Sequence, residues 1–139
     1  MLIVCDTNVL VSALLWSGKA ASVRRAWMEG RCVLALDTPV LDEYRRVLSY
    51  RKFSLAPQDV AYLVKEEILP FGIRLPDSPR DKEPWIPEDP DDDCFIRLAL
   101  MAKAACIVSG DSHLLSAKDL PVPVLDIPGF LARLEKRNA

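Results

Sequence analysis

A chain of 139 residues, half of them apolar, is long enough to bury a core of its own, and a single domain over 1–139 is expected. The net charge of −2 gives no chain-wide signature of a polyanion partner, though a basic rim around a local acidic pocket fits within a balanced total. Cys5, Cys32, Cys94 and Cys106 lie far apart with no CxxC pair and only one histidine in the chain, which argues against a zinc cage or a secreted disulfide framework and for a reducing cytoplasm.

The first apolar run, Leu2-Ile3-Val4-Cys5, is too short for the apolar region of a signal peptide and lacks a basic flank. No later run reaches membrane-spanning length, so a soluble protein is expected. With Asp6 the run reads as a strand buried on both faces. A helix follows, capped by Thr7 or Asn8, with Val9, Leu10, Ala13 and Leu14 inward and Ser17-Gly18 as its stop. A second helix is predicted over 20–28 and ends at Gly30.

Cys32 to Leu36 reads as another buried strand. Asp37-Thr38-Pro39 then starts a helix with a capping oxygen and a first-turn proline, running to about Ser49. Pro57 opens a helix that Pro70 closes, and Phe71 to Leu75 is a short strand. Pro76, Pro79, Pro84, Pro87 and Pro90 among many charges predict a long loop from 76 to 91. A helix over 94–103, a strand over 105–109, a short helix at 112–117, a strand over 122–127 broken by Pro123, and a terminal helix over 128–135 complete the chain. Strands alternating with helices predict an α/β fold with a mainly parallel central sheet.

Two buried strands end in a carboxylate, Asp6 after Leu2-Ile3-Val4-Cys5 and Asp111 after Ala105-Cys106-Ile107-Val108-Ser109-Gly110. The carboxyl ends of parallel strands are where open α/β sheets bind ligands. Glu43, inside a helical pattern, and Asp93, at the start of another, make a set of four candidate site acids from four segments. Clustered carboxylates repel one another and are costly to desolvate, so a hard dication between them explains their persistence. Mg²⁺ or Mn²⁺ accepts such oxygen ligands and favours phosphate chemistry, here hydrolysis of a nucleic-acid backbone.

Simpler readings stand beside each residue. Asp6 and Asp111 can each cap the helix that follows, and Asp89, Asp91 and Asp92 can serve as loop or first-turn acids. Glu43 can pair with Arg46 on its own helix. Thr7, Asn8 and Ser109 are candidates to orient ligands or water, with capping the simpler job for Thr7 and Asn8. His113 reads as a solvated first-turn residue. The basic residues Arg24, Arg25, Arg45, Arg46, Arg51 and Lys52 can rim a cleft, whereas Trp16, Trp27 and Trp85 are too scattered to form a stacking platform.

Asp6-Thr7-Asn8 after a strand, Glu43 within the run from Pro39 to Leu48, the acids leading to Asp93, and Ser109-Gly110-Asp111 after a later strand together resemble the PIN-domain nucleases along nearly the whole chain. The resemblance is to the small prokaryotic, VapC-like PIN proteins of toxin-antitoxin systems. It implies a three-layer α/β/α fold, a Mg²⁺ or Mn²⁺ site and endoribonuclease activity. By position it implies Asp6 and Asp93 as central metal ligands, completed by Glu43 and Asp111 and supported by Thr7, Asn8 and Ser109. It also implies an RNA substrate, an antitoxin protein partner and a homodimer. A haloacid-dehalogenase-like phosphatase also begins with a strand ending in aspartate, but Asn8 stands where its second acid belongs. A catalytically inert PIN-like module binding RNA or protein is the remaining alternative, disfavoured by four filled acid positions.

Overall fold

In the computed structural model, which describes residues 1–77, 93–117 and 119–138, the N-terminal apolar run forms strand β1 (Leu2–Cys5). Ile3, Val4 and Cys5 are completely buried, as are all three residues of β4 (Cys106–Val108). Burial of consecutive strand residues requires cover on both faces of the sheet. With β2 (Val33–Leu36), β3 (Gly72–Arg74) and β5 (Val124–Leu125), they form a five-stranded sheet of order β3-β2-β1-β4-β5. Every pairing is parallel, so the expected α/β architecture holds.

The strand order positions the site. The chain steps outward from β1 through β2 to β3, then returns to lay β4 against the other side of β1. Such a reversal opens a crevice at the carboxyl ends of the two strands that flank it. The β1–β4 register, Ile3 to Cys106 through Cys5 to Val108, brings the residues that follow both strands to that crevice.

Helices α1 (Thr7–Leu15) and α2 (Lys19–Met28) lie between β1 and β2, and α3 (Thr38–Leu48) follows β2. Gly30 ends the turn after α2 at φ 77, a conformation that a side chain disfavours. Asp37 caps α3 as expected, accepting from the Val40 N–H at 3.0 Å, and Pro39 sits in the first turn. Helix α5 (Asp93–Ala102) packs on β1, β2 and β4 and against α3, where the Tyr44 and Phe95 rings lie 6.3 Å apart. Helices α6 (Ser112–Ser116) and α7 (Ile127–Asn138) follow β4 and β5. No helix among the described residues is long and apolar enough to cross a membrane.

Three expectations change. The helix opened by Pro57 is α-helical only over α4 (Pro57–Tyr62) and widens into a π-helical stretch, Leu63–Ile68, before a 3-10 turn, Leu69–Phe71. Pro70 lacks an N–H and its ring crowds the carbonyl four residues back, and the Leu69 N–H bonds to the Val64 carbonyl instead. The last strand is shorter than predicted because Pro123 cannot donate, although its carbonyl accepts from Ile107 at 2.9 Å. The terminal helix starts earlier, at Ile127, after Asp126 accepts the Gly129 N–H at 2.8 Å. Most of the predicted loop from 76 to 91, with Trp85, Asp89, Asp91 and Asp92, lies outside the described residues.

Candidate active-site cleft

Asp6 leaves β1 with its N–H on the Val108 carbonyl at 3.0 Å and its side chain only 2% exposed. Its Oδ1 accepts the Val9 N–H at 2.8 Å, so Asp6 caps α1 in place of Thr7 or Asn8. Its Oδ2 accepts the Ser109 hydroxyl at 2.5 Å, bridging the ends of β1 and β4. Burial pushes the Asp6 carboxyl above its ordinary range, the Ser109, Val9 and Gly110 donors pull it back, and the Asp111 charge pushes it up again. The capping role and the cleft role coexist: one oxygen serves the helix while the whole carboxylate stays at the crevice.

Asp111 caps α6, accepting from the His113 and Leu114 N–H groups at 2.7 and 3.3 Å. Its own N–H donates to Ser109 Oγ at 2.9 Å. Ser109, fully buried, therefore ties both strand-ending acids through one hydroxyl. Thr7 Oγ1 is buried without a hydrogen-bond partner among the described residues, and Asn8 beside it is exposed.

Glu43 and Asp93 are held differently. The Glu43 carboxylate is bridged by the Arg46 guanidinium one turn on, with Arg46 Nε at 3.2 Å from Oε2, which is the local pairing that the sequence allowed. Asp93, 7% exposed at the start of α5, accepts from Arg97 on the same helix at i,i+4, where the Glu43 pair is i,i+3. The Tyr44 hydroxyl, buried beneath α3, donates to the Cys5 carbonyl at 2.5 Å and anchors the α3 scaffold to the end of β1.

Asp6, Thr7, Asn8, Glu43 and Asp111 line one cleft of about 240 Å³ together with Arg46, Val47, Tyr50, Lys52 and Phe53. The structure thus brings three of the four predicted acids to one cavity, and Asp93 is not among the residues lining it. Among the described residues no three His, Cys, Asp or Glu side chains are grouped closely enough to hold a metal ion on their own. A larger cavity of about 380 Å³ is lined, among the described residues, by Arg45, Ser49, Leu55, Pro57, Val60 and Ala61, none of them a carboxylate or a general base.

Sequence reasoning missed Tyr50 and Phe53, which lie beyond the predicted end of α3 and carry no local signal. They reach the cleft through the 3-10 turn Arg51–Phe53. Of the basic residues singled out, Arg46 and Lys52 face the cleft, whereas Arg24 pairs with Glu67 at 2.7 Å and Arg45 with Asp42 at 3.4 Å. His113 lies exposed 3.7 Å from Asp111.

A family model described as PIN domain matches residues 2–113, and the chain belongs to that family. Curated proteins give no match. Among solved structures, VapBC2 from Rickettsia felis, bound to a DNA fragment from its promoter, is similar at a TM-score of 0.61 and 14% identity, over 91% of this chain and 98% of that one. FitAcB from Neisseria gonorrhoeae is similar at a TM-score of 0.58 and 18% identity, over 90% of this chain and 97% of that one. At those identities the likeness is one of fold.

Proposed function

We propose that this PIN-domain protein is a metal-dependent endoribonuclease, the toxin member of a toxin-antitoxin pair, hydrolysing RNA from the cleft of Asp6, Glu43 and Asp111. The observation that carries the reading is the placement of two strand-ending acids at one cleft where the sheet order reverses: the Ser109 hydroxyl donates to the Asp6 carboxylate and its oxygen accepts the backbone N–H of Asp111. Family membership supports nuclease chemistry, and the folds of VapBC2 and FitAcB support an antitoxin partner. A cytoplasmic homodimer belongs to the same reading.

The donor set suits a hard dication. Asp6 and Asp111 offer carboxylate oxygens, and the buried Thr7 hydroxyl lacks a hydrogen-bond partner among the described residues. Mg²⁺ is usually held by one or two carboxylates together with waters and substrate phosphate, and Mn²⁺ takes similar ligands, so the lack of a tight three-acid cage does not count against either. Bound there, the ion would neutralise phosphate charge and make a coordinated water more acidic.

The chain's own residues carry the rest. Ser109 fixes the Asp6 carboxylate, so that its position owes nothing to a flexible side chain. Glu43, on α3 and paired with Arg46 in the free protein, accepts a proton from the attacking water at a carboxylate oxygen. As oxygen bonds to phosphorus, the bond to the 3′ oxygen breaks, that oxygen takes a proton from solvent to leave as a hydroxyl, and no covalent enzyme intermediate forms. Asp93 enters the acid set by position alone, opening the helix that packs on β1 and β4.

One observation favours the rival reading of an inert RNA- or protein-binding module: Glu43 and Asp93 are each already neutralised by an arginine on the same helix. Cleavage of RNA by the purified protein with Mn²⁺, compared with Asp6→Asn and with excess chelator, separates the two. Turnover that needs both Asp6 and the ion supports the nuclease, and calorimetric silence toward millimolar Mn²⁺ supports the inert module.

A further inference from the structure

The part of the cleft formed by the end of α3 and the turn that follows it alternates cations with aromatic rings. Tyr50 is 39% exposed with the Arg46 guanidinium 5.6 Å from its ring centroid, and the Lys52 ammonium lies 5.2 Å from the centroid of Phe53. Trp16, 55% exposed at the end of α1, extends the surface by meeting the Phe53 ring at 5.7 Å and 55°. These residues come together from two segments because the 3-10 turn Arg51–Phe53, closed by the Ser54 N–H on the Arg51 carbonyl at 3.0 Å, doubles back toward the end of α1. Tyr50 lines the cleft and Trp16 borders it through Phe53, and both leave large apolar area exposed to solvent.

We propose that Tyr50, Phe53 and Trp16, with Arg46 and Lys52, form a stacking platform that receives an unpaired nucleotide of an RNA strand beside the acids. The proposal rests on the nuclease reading and assigns these side chains as the subsite that stacks the base of its substrate. Aromatic rings with interleaved cations fit that ligand: each base offers a face to a ring, and each phosphate a charge to Arg46 or Lys52. A cation over an exposed ring is held more weakly than a stacked base, so an incoming base displaces the cation toward the neighbouring phosphate. When Arg46 turns to phosphate it releases Glu43, coupling substrate arrival to exposure of that carboxylate. At about 240 Å³ the cleft lies below the ~300 Å³ where small-molecule sites begin, on the scale of one base with its sugar. Stacking of this kind is tolerant of base identity, so the platform selects strandedness more than sequence.

The test is fluorescence anisotropy of the full chain with a labelled, unstructured RNA strand and with the matching duplex, in chelator so that no cleavage occurs. Wild type binds the strand in preference to the duplex. Tyr50→Ala and Trp16→Ala each weaken strand binding about tenfold, and Tyr50→Phe, which keeps the ring and loses only the hydroxyl that accepts from Arg46, weakens it less than Tyr50→Ala does. Wild-type affinity in both alanine variants, or equal affinity for the duplex, overturns the proposal. So does strand binding untouched by variants that instead lose a protein partner, which would make the platform a protein-docking surface. Cleavage by Asp6→Asn equal to wild type would sink the nuclease reading while leaving ring-dependent binding intact, and the two failures are thereby distinguished.

Discussion

Ser109, at the end of β4, donates its hydroxyl hydrogen bond to Asp6, at the end of β1, across 103 residues of sequence. That bond exists because β1 and β4 are adjacent and in register, and it is the contact that turns two separate strand ends into one site. Ser109→Ala removes a buried hydrogen bond to a charged group, so a loss of about 1.5–3 kcal/mol in urea unfolding is expected. The same change raises the Asp6 carboxyl further, since Ser109 is among the donors that hold it down. The acid limb of any cleavage profile then moves to higher pH.

Asp6→Asn is expected to stabilise the fold while destroying function. Burial raises the Asp6 carboxyl above its unfolded value, so the folded state binds the proton more tightly than the unfolded chain does. The contribution of this group is therefore greatest below the unfolded value and is lost as pH rises through the folded one. At neutral pH the ionised side chain costs stability that asparagine would not, and the urea midpoint of the variant should exceed that of wild type and depend less on pH across that window. A lower midpoint would mean that the hydrogen bonds to Asp6 outweigh its desolvation.

Metal addition should reverse the order. An ion that binds only the folded protein stabilises it by about 2.7 kcal/mol at a hundred times its dissociation constant. Wild type should gain melting temperature with Mn²⁺ and lose the gain in chelator, and Asp6→Asn should gain little in either condition. Equal shifts in both proteins would place the ion elsewhere.

How much of this was legible in the sequence divides along physical lines. The strands, their parallel class and the acids at their ends were readable because burial on both faces leaves continuous apolar runs, and a run that stops at an aspartate stops for a reason. The capping of α1 by Asp6 in place of Thr7 or Asn8 was harder, since three consecutive polar residues can all cap and only the register with β4 selects one. The widening of the helix before Pro70 depends on which carbonyl takes the freed N–H, which no local pattern encodes. Trp16 meets Phe53 only through tertiary folding, and tryptophan spacing alone gave no hint of it.

Glu43→Gln separates chemistry from stability. The partner of Glu43, Arg46, is solvent-exposed, so the ion pair adds little to the fold and the melting temperature should not change measurably. Loss of a proton acceptor in the transition state should still slow RNA cleavage about a hundredfold. Unchanged cleavage would return Glu43 to the role of a surface salt-bridge partner.

Tyr44→Phe tests the scaffold under the cleft. It leaves the Cys5 carbonyl without the buried Tyr44 hydroxyl that it accepts from at 2.5 Å, and an unpaired buried group costs about 1–3 kcal/mol. A chemical-denaturation difference in that range, with cleavage weakened through displacement of Asp6 next door, is the expected outcome.

The central claim is that Asp6 and a divalent ion together cleave RNA. End-mapped sequencing of total cellular RNA, incubated with the purified chain and Mn²⁺ or Mg²⁺, tests it most directly alongside Asp6→Asn and a chelator control. Discrete new ends in unpaired regions, absent from both controls, are predicted. Ends that are identical in all three reactions, or no new ends with wild type, would contradict the account.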